Sequence, residues 1–205
     1  MKIFQALLSG IILTISMVAT VYSQTSKSKK YNTSTVVIVP ELSDDLIFDT
    51  LNNQVDFQQG IIEPDGTIDT LGAKTTSVIY KSTRFGKASI QPVNCKAWMK
   101  SDTLFINVGS WDGYTGGGFT INYINRNFVL EPYYSQHTDA GPDPHPPVFT
   151  IIYCDLKLDK PVYTAGNMVH GYVDFKIKER HYGKTIMHTA RGYFRDRIKI
   201  WWGNK

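Results

Sequence analysis

The 205-residue chain is 42% hydrophobic, 13% aromatic and 20% charged, and its 22 Lys+Arg against 18 Asp+Glu give a net charge of +4. This balance excludes a disordered tail and a collagen-like repeat, and the length falls short of the about 250 residues typical of a (β/α)8 barrel. The cationic excess is too small for a nucleic-acid footprint, so no nucleic-acid partner is expected.

Residues 1–23 set Lys2 before an apolar run from Ile3 to Val21, with Val21 and Ser23 at the −3 and −1 places of a small-residue cleavage site. The segment reads as a secretory signal peptide; an uncleaved membrane anchor is the alternative. Cleavage leaves 182 residues, no transmembrane segment, and a secreted, periplasmic or cell-envelope location. Residues 24–35 (QTSKSKKYNTST) are polar and basic and read as a flexible leader. Residues 36–205 remain as a single β-sandwich domain.

Ser43 to Asn53 suggests a short helix, with Ser43 as N-cap and Asp44 and Asp45 in the first turn. Pro64-Asp65-Gly66-Thr67 looks like a hairpin turn. Beyond residue 70 the period is two. Leu104, Ile106 and Val108 alternate with Thr103, Phe105 and Asn107, and Phe119, Ile121 and Tyr123 with Thr120 and Asn122. Further on, Val169, Val173, Phe175 and Ile177 alternate with His170, Tyr172, Asp174 and Lys176. Lys100-Ser101-Asp102, the glycines 116–118, Asn125-Arg126-Asn127 and Gly166-Asn167 supply turn signals. Residues 135–147 form a proline-rich loop. The expected fold is all-β, a single antiparallel, immunoglobulin-like β-sandwich.

Cys95 shares a face with Val93, Ala97 and Met99. Cys154 shares one with Val148, Ile152, Leu156 and Leu158. Both sulfurs then point to a strand's buried side, and an exported chain would favour a disulfide between them. Such a bridge stabilises by about 4 kcal/mol in the chain-entropy model; two buried thiols that never meet are the alternative.

The stretch from Leu158 to Val173, LDKPVYTAGNMVHGYV, resembles the strand–turn–strand opening of macroglobulin-type and arrestin-type β-sandwich domains, with Ala165 replacing the consensus Pro before the turn glycine. The longer span from Asp102 to Ile198 is similar to uncharacterised secreted β-proteins of Bacteroidota. The resemblance implies export and a β-fold, and brings no activity or catalytic residue with it.

Three groups carry candidate chemistry. Trp111, Asp112 and Tyr114, in a glycine-rich loop, with Tyr133 and Tyr134 nearby, suit stacking on and hydrogen bonding to a sugar ring or flat ligand; a Trp plugging the sandwich end is the bland alternative. His137, Asp139, Asp143 and His145 fall within nine residues, yet follow no metal-site spacing and are better read as solvated loop polarity, so no metal and no cofactor is expected. If residues 191–202 form one strand, Arg191, Tyr193, Arg195, Arg197, Lys199 and Trp201 make a basic stripe opposite Phe194, Ile198, Ile200 and Trp202, with Asp196 interrupting the apolar face. The stripe suits an anionic polymer, a lipid headgroup surface or an acidic partner; the bland alternative is a charge-guarded edge strand.

Nucleophile signatures are absent, and Ser110 lies one place out of register with a G-x-S-x-G elbow. The residues thus point to a secreted, non-enzymatic protein that binds or scaffolds another macromolecule, a carbohydrate or peptide at an aromatic-lined loop end. A hydrolase assembled from distant strands (Asp112, Glu131, Asp139 or His145) and a structural envelope component are the alternatives.

Overall fold

The computed structural model describes residues 34–56, 61–62, 68–69, 72–84, 89–91, 93–111, 115–136 and 145–201. Residues 1–33, which hold the expected signal peptide and most of the expected leader, lie outside these. Ser34 and Thr35, read as the end of that leader, are already strand β1 (Ser34–Thr35).

A short crossing follows to β2 (Val37–Ile38), then a 3-10 turn at Pro40–Asp44 and helix α1 (Leu46–Asn52). The helix begins later than expected. Pro40 starts the tighter turn, which uses up Ser43, so Asp45 is the N-cap and accepts from the Ile47 amide at 3.0 Å. Four two-residue strands come next: β3 (Val55–Asp56), β4 (Ile61–Ile62), β5 (Ile68–Asp69) and β6 (Gly72–Ala73). β4 and β5 pair antiparallel on either side of residues 63–67, where a hairpin turn was expected; the turn itself lies outside the described residues.

The main strands are β7 (Ile79–Ser82), β8 (Ser89–Gln91), β9 (Asn94–Lys100), β10 (Thr103–Trp111), β11 (Thr115–Ile124) and β12 (Asn127–Gln136). After them come β13 (Val148–Leu158), β14 (Met168–His181), β15 (Lys184–Arg197) and β16 (Lys199–Ile200). Two six-stranded sheets result, ordered β1-β12-β11-β10-β9-β16 and β2-β13-β14-β15-β7-β8. We call them sheets A and B. The expected all-β sandwich is present, and its pairing is antiparallel except for β16 on β9 and β2 on β13.

Tight turns set the meanders. Asn125 and Arg126 (φ 49° and 65°) join β11 to β12, and Tyr182 and Gly183 (φ 47° and 72°) join β14 to β15. Positive φ at both central residues matches the twist of the flanking strands. The glycines 116–118 are not a turn: Trp111 pairs with Gly116 and Gly109 with Gly118, so the run lies inside β11. There the missing side chains serve close approach, since a Cβ on Gly118 would meet the Val108 carbonyl oxygen at 2.2 Å.

Alternation places the core as expected. Ile106, Val108, Phe119 and Ile121 of sheet A face Val169, Val173, Phe175 and Ile177 of sheet B, all fully buried. In β13 the alternation changes phase at a bulge between Ile151 and Tyr153. Leu156 and Leu158 point inward, but upstream the inward positions become Phe149 and Ile151, while Val148 and Ile152 are 63% and 53% exposed. The extra residue of a bulge reverses the facing of everything beyond it.

Cys95 and Cys154 both face the core, yet both are free thiols and the expected disulfide is absent. β9, which carries Cys95, packs against β15, whereas β13 lies two strands away from β15 in sheet B. At about 4.8 Å per strand, that offset exceeds what a disulfide's Cα–Cα span allows.

The Leu158–Val173 stretch forms a polar corner. Tyr163 donates to Asp159 Oδ1 at 2.6 Å, His170 donates its backbone amide to the same oxygen at 3.1 Å, and the Lys160 amide donates to the Tyr163 hydroxyl at 3.1 Å. Burial opposes the Asp159 carboxylate, but the hydrogen bonds from His170 and Tyr163 outweigh it and hold its pKa below the ordinary value.

Candidate functional site

Sheet B has two different ends on its outer face. At one, α1 lies across β14 and β15: Phe48 is buried against His170 (ring centroids 4.8 Å) and Tyr193 (6.0 Å), and the Arg195 guanidinium sits 6.0 Å from the Phe48 ring. At the other, where Asp174 pairs with Arg191, no described helix covers the strands. Tyr153, next to the inward Cys154, alternates out onto this face. A groove of about 470 Å³ opens there between Tyr153, Asp174, Thr189, Ala190, Arg191, Ile79 and Lys81.

Its chemistry is mixed. Ile79 and Tyr153 are 53% and 48% exposed, apolar surface a ligand can cover. Arg191 Nε lies 3.6 Å from Asp174 Oδ2, and a hydrogen bond with Tyr172, then the Asp174 charge, keep the guanidinium firmly protonated. Partial burial, followed by a hydrogen bond to Asp174, pushes the Tyr153 phenol above its ordinary value. The groove therefore offers an aromatic, a carboxylate and a guanidinium within one surface.

The expected aromatic cluster is only partly placed. Trp111 ends β10; Asp112 and Tyr114 lie outside the described residues. Tyr133 and Tyr134 come together on β12, both half-buried. Tyr133 donates to Asn107 Oδ1 at 3.1 Å and passes over Gly109, whose missing Cβ makes room for it. The Arg84 guanidinium lies 5.2 Å from the Tyr134 ring centroid. The cleft beside them, bounded by Tyr80, Ser82, Arg84, Gly117 and His188, holds about 10 Å³, the room of one water molecule.

The expected basic stripe divides. β15 ends at Arg197, the chain crosses between the sheets at Ile198, and Lys199 belongs to sheet A, where β16 pairs with β9. Ile198 is buried, but Ile200 is 52% exposed and Trp201 packs on Trp98 at 5.4 Å. The basic groups have partners: Arg191 on Asp174, Arg195 on Phe48, and Arg197 donating to the Gly166 carbonyl at 3.0 Å. Of the four polar candidates in the proline-rich loop only His145 is described, near Tyr182 at 5.8 Å; His137, Asp139 and Asp143 lie outside the described residues. Among the described residues no group of three His, Cys, Asp or Glu is arranged to hold a metal. Glu131 is half-buried on β12.

Sequence reasoning missed a buried relay. His188 Nε2 lies 2.7 Å from Glu179 Oε2, so it carries the proton, and Nδ1 accepts from the Tyr80 hydroxyl at 2.8 Å. Arg84 donates to Glu179 Oε1 at 2.7 Å. Burial opposes the Glu179 charge, but the hydrogen bond from His188 and the charge of Arg84 hold its pKa below the ordinary value. Burial first, then the Glu179 charge, push the Tyr80 phenol well up. The signal was there: Glu179 continues the inward series Val173, Phe175, Ile177, where a carboxylate demands a partner.

No family model, no curated protein and no solved structure matches the chain.

Proposed function

We propose that this is an exported, non-enzymatic β-sandwich protein that binds another macromolecule, a carbohydrate or peptide, in the groove on the outer face of sheet B. The observation that carries this reading is the groove's composition: Tyr153 beside Ile79 for stacking and apolar contact, with Asp174 and Arg191 held together for hydrogen bonding. A sugar ring needs such a pairing, an apolar face to lie on and charged groups to read its hydroxyls. The location moves from the loop end, where the cleft beside Tyr133 and Tyr134 has room for one water. The apolar N-terminal segment supports export.

Binding to glycan and peptide arrays tests the proposal. Tyr153→Ala and Arg191→Ala should each weaken a hit at least tenfold; equal binding by both variants and the parent removes the groove from the account.

A hydrolase is the second reading, favoured by the Glu179–His188–Tyr80 order of carboxylate, imidazole and hydroxyl. Against it, Tyr80 is 1% exposed and its phenol is held protonated. An ester and glycoside screen of the parent against Glu179→Gln decides: turnover lost in the variant would install the hydrolase.

A further inference from the structure

The strand that carries Tyr153 has one edge with no ladder. β14 pairs with β13 along its whole length, but on the opposite side β2 reaches only Lys157 and Leu158. Among the described residues no strand lies beside 148–156 on that side. Sequence and exposure make this edge unusual. Val148 to Cys154 reads Val-Phe-Thr-Ile-Ile-Tyr-Cys: no charge, no proline, and β-branched or aromatic at six of seven positions. Val148, Ile152 and Tyr153 are 63%, 53% and 48% exposed. Natural sheets guard such edges with lysine or proline, because a row of free amides and carbonyls recruits another strand; here the guard is one bulge.

We infer that the Val148–Cys154 edge of β13 is an interface for a second copy of this chain, whose own β13 adds antiparallel to it across a two-fold axis and joins the two B sheets into one. The run is bounded on both sides: Pro146 and Pro147 lack the amides to extend it, and β2 occupies the edge from Lys157. An identical run matches it in length. Antiparallel strands about a two-fold are self-complementary in their hydrogen bonds, and self-pairing over 148–154 sets no like charges opposite each other. β2 already shows that this edge accepts a strand.

Sedimentation equilibrium of the purified chain over a concentration series tests the inference, beside Ile152→Lys and Arg191→Ala. Ile152 is exposed, so the lysine leaves the single-chain fold intact, which far-ultraviolet circular dichroism checks. The expected result is a two-chain mass for the parent and for Arg191→Ala, and a one-chain mass for Ile152→Lys. A parent that stays at one-chain mass, a lysine variant that still pairs, or open-ended growth with no two-chain plateau each overturns it. Groove binding is read separately, because Arg191→Ala alters the groove and leaves the edge unchanged.

Discussion

The Asp196 carboxylate, near the end of β15 in sheet B, accepts a hydrogen bond at 2.7 Å from the Ala97 amide in sheet A. Two residues earlier on the same strand, the Cys95 amide donates to Thr75 Oγ1 at 2.8 Å, and beyond Ala97 β16 takes over the pairing. Side chains from outside thus satisfy the β9 edge until a real strand arrives. The acidic residue that breaks the apolar pattern of residues 194–202 is there to serve a backbone donor.

Asp196 is held in a desolvated place, which pushes its pKa up to about 6 despite the amide bond. With the folded value above the unfolded one, its contribution to stability is complete below about pH 4 and is lost as pH rises through 6. Asp196→Asn keeps an acceptor for Ala97 without the charge. Denaturation at pH 4 and pH 7.5 should show the parent losing on the order of 2 kcal/mol relative to this variant; parallel pH profiles would contradict the assignment.

Glu179 behaves oppositely. Its lowered pKa supplies stability that is present above the unfolded value and fades as pH falls through the folded one. Glu179→Gln leaves the half-buried Arg84 beside a neutral amide and, because the Glu179 site itself is fully buried, should cost about 3 kcal/mol at pH 7. Tyr80→Phe, which removes only the donor to His188, should cost about 1–3 kcal/mol. Urea unfolding of the three proteins at pH 7 checks the order.

Gly171 tests the packing on the inner face of sheet B, where Phe194 is its cross-strand partner. A Cβ there would lie 2.1 Å from Phe194 Cζ, and Phe194 is fully buried. Gly171→Ala should destabilise by at least about 1–3 kcal/mol, the usual cost of overpacking, measured as a lowered denaturation midpoint.

The thiols give a chemical test of the fold. Burial raises the Cys95 thiol well above its ordinary pKa, and pushes Cys154 up to about 12. Neither should react with a thiol reagent at pH 7 in the native state, and both should react in denaturant without added reductant. Recovery of fewer than two thiols would revive the disulfide.

The sandwich was legible because its strands obey simple alternation: Ile106 and Val108, or Phe175 and Ile177, need no context to declare a face. Reading stopped where geometry departs from a plain ladder. One bulged residue in β13 reversed Val148 and Ile152, and a crossing at Ile198 divided a stripe that looked continuous. The glycines 116–118 resembled a turn because their use, admitting a neighbouring strand closely, is a property of two strands. Tyr80, His188 and Glu179 come from three strands, and only the sheet's register brings them together. Tyr153 faces outward by plain alternation with Cys154, but the groove around it is built with β7, β14 and β15, and only the sheet's register assembles it.

Both sheets pair early strands with late ones. Among the described residues β7 (Ile79–Ser82) of sheet B pairs with β8 and with residues 188–191, more than a hundred positions later, and β1 of sheet A must find Asn127 and Phe128. A nascent chain therefore cannot complete either layer until translation has passed Asp196. Assembly this non-local is slow, about milliseconds to seconds in comparable domains, and it leaves the newly made polypeptide open for that long before it closes.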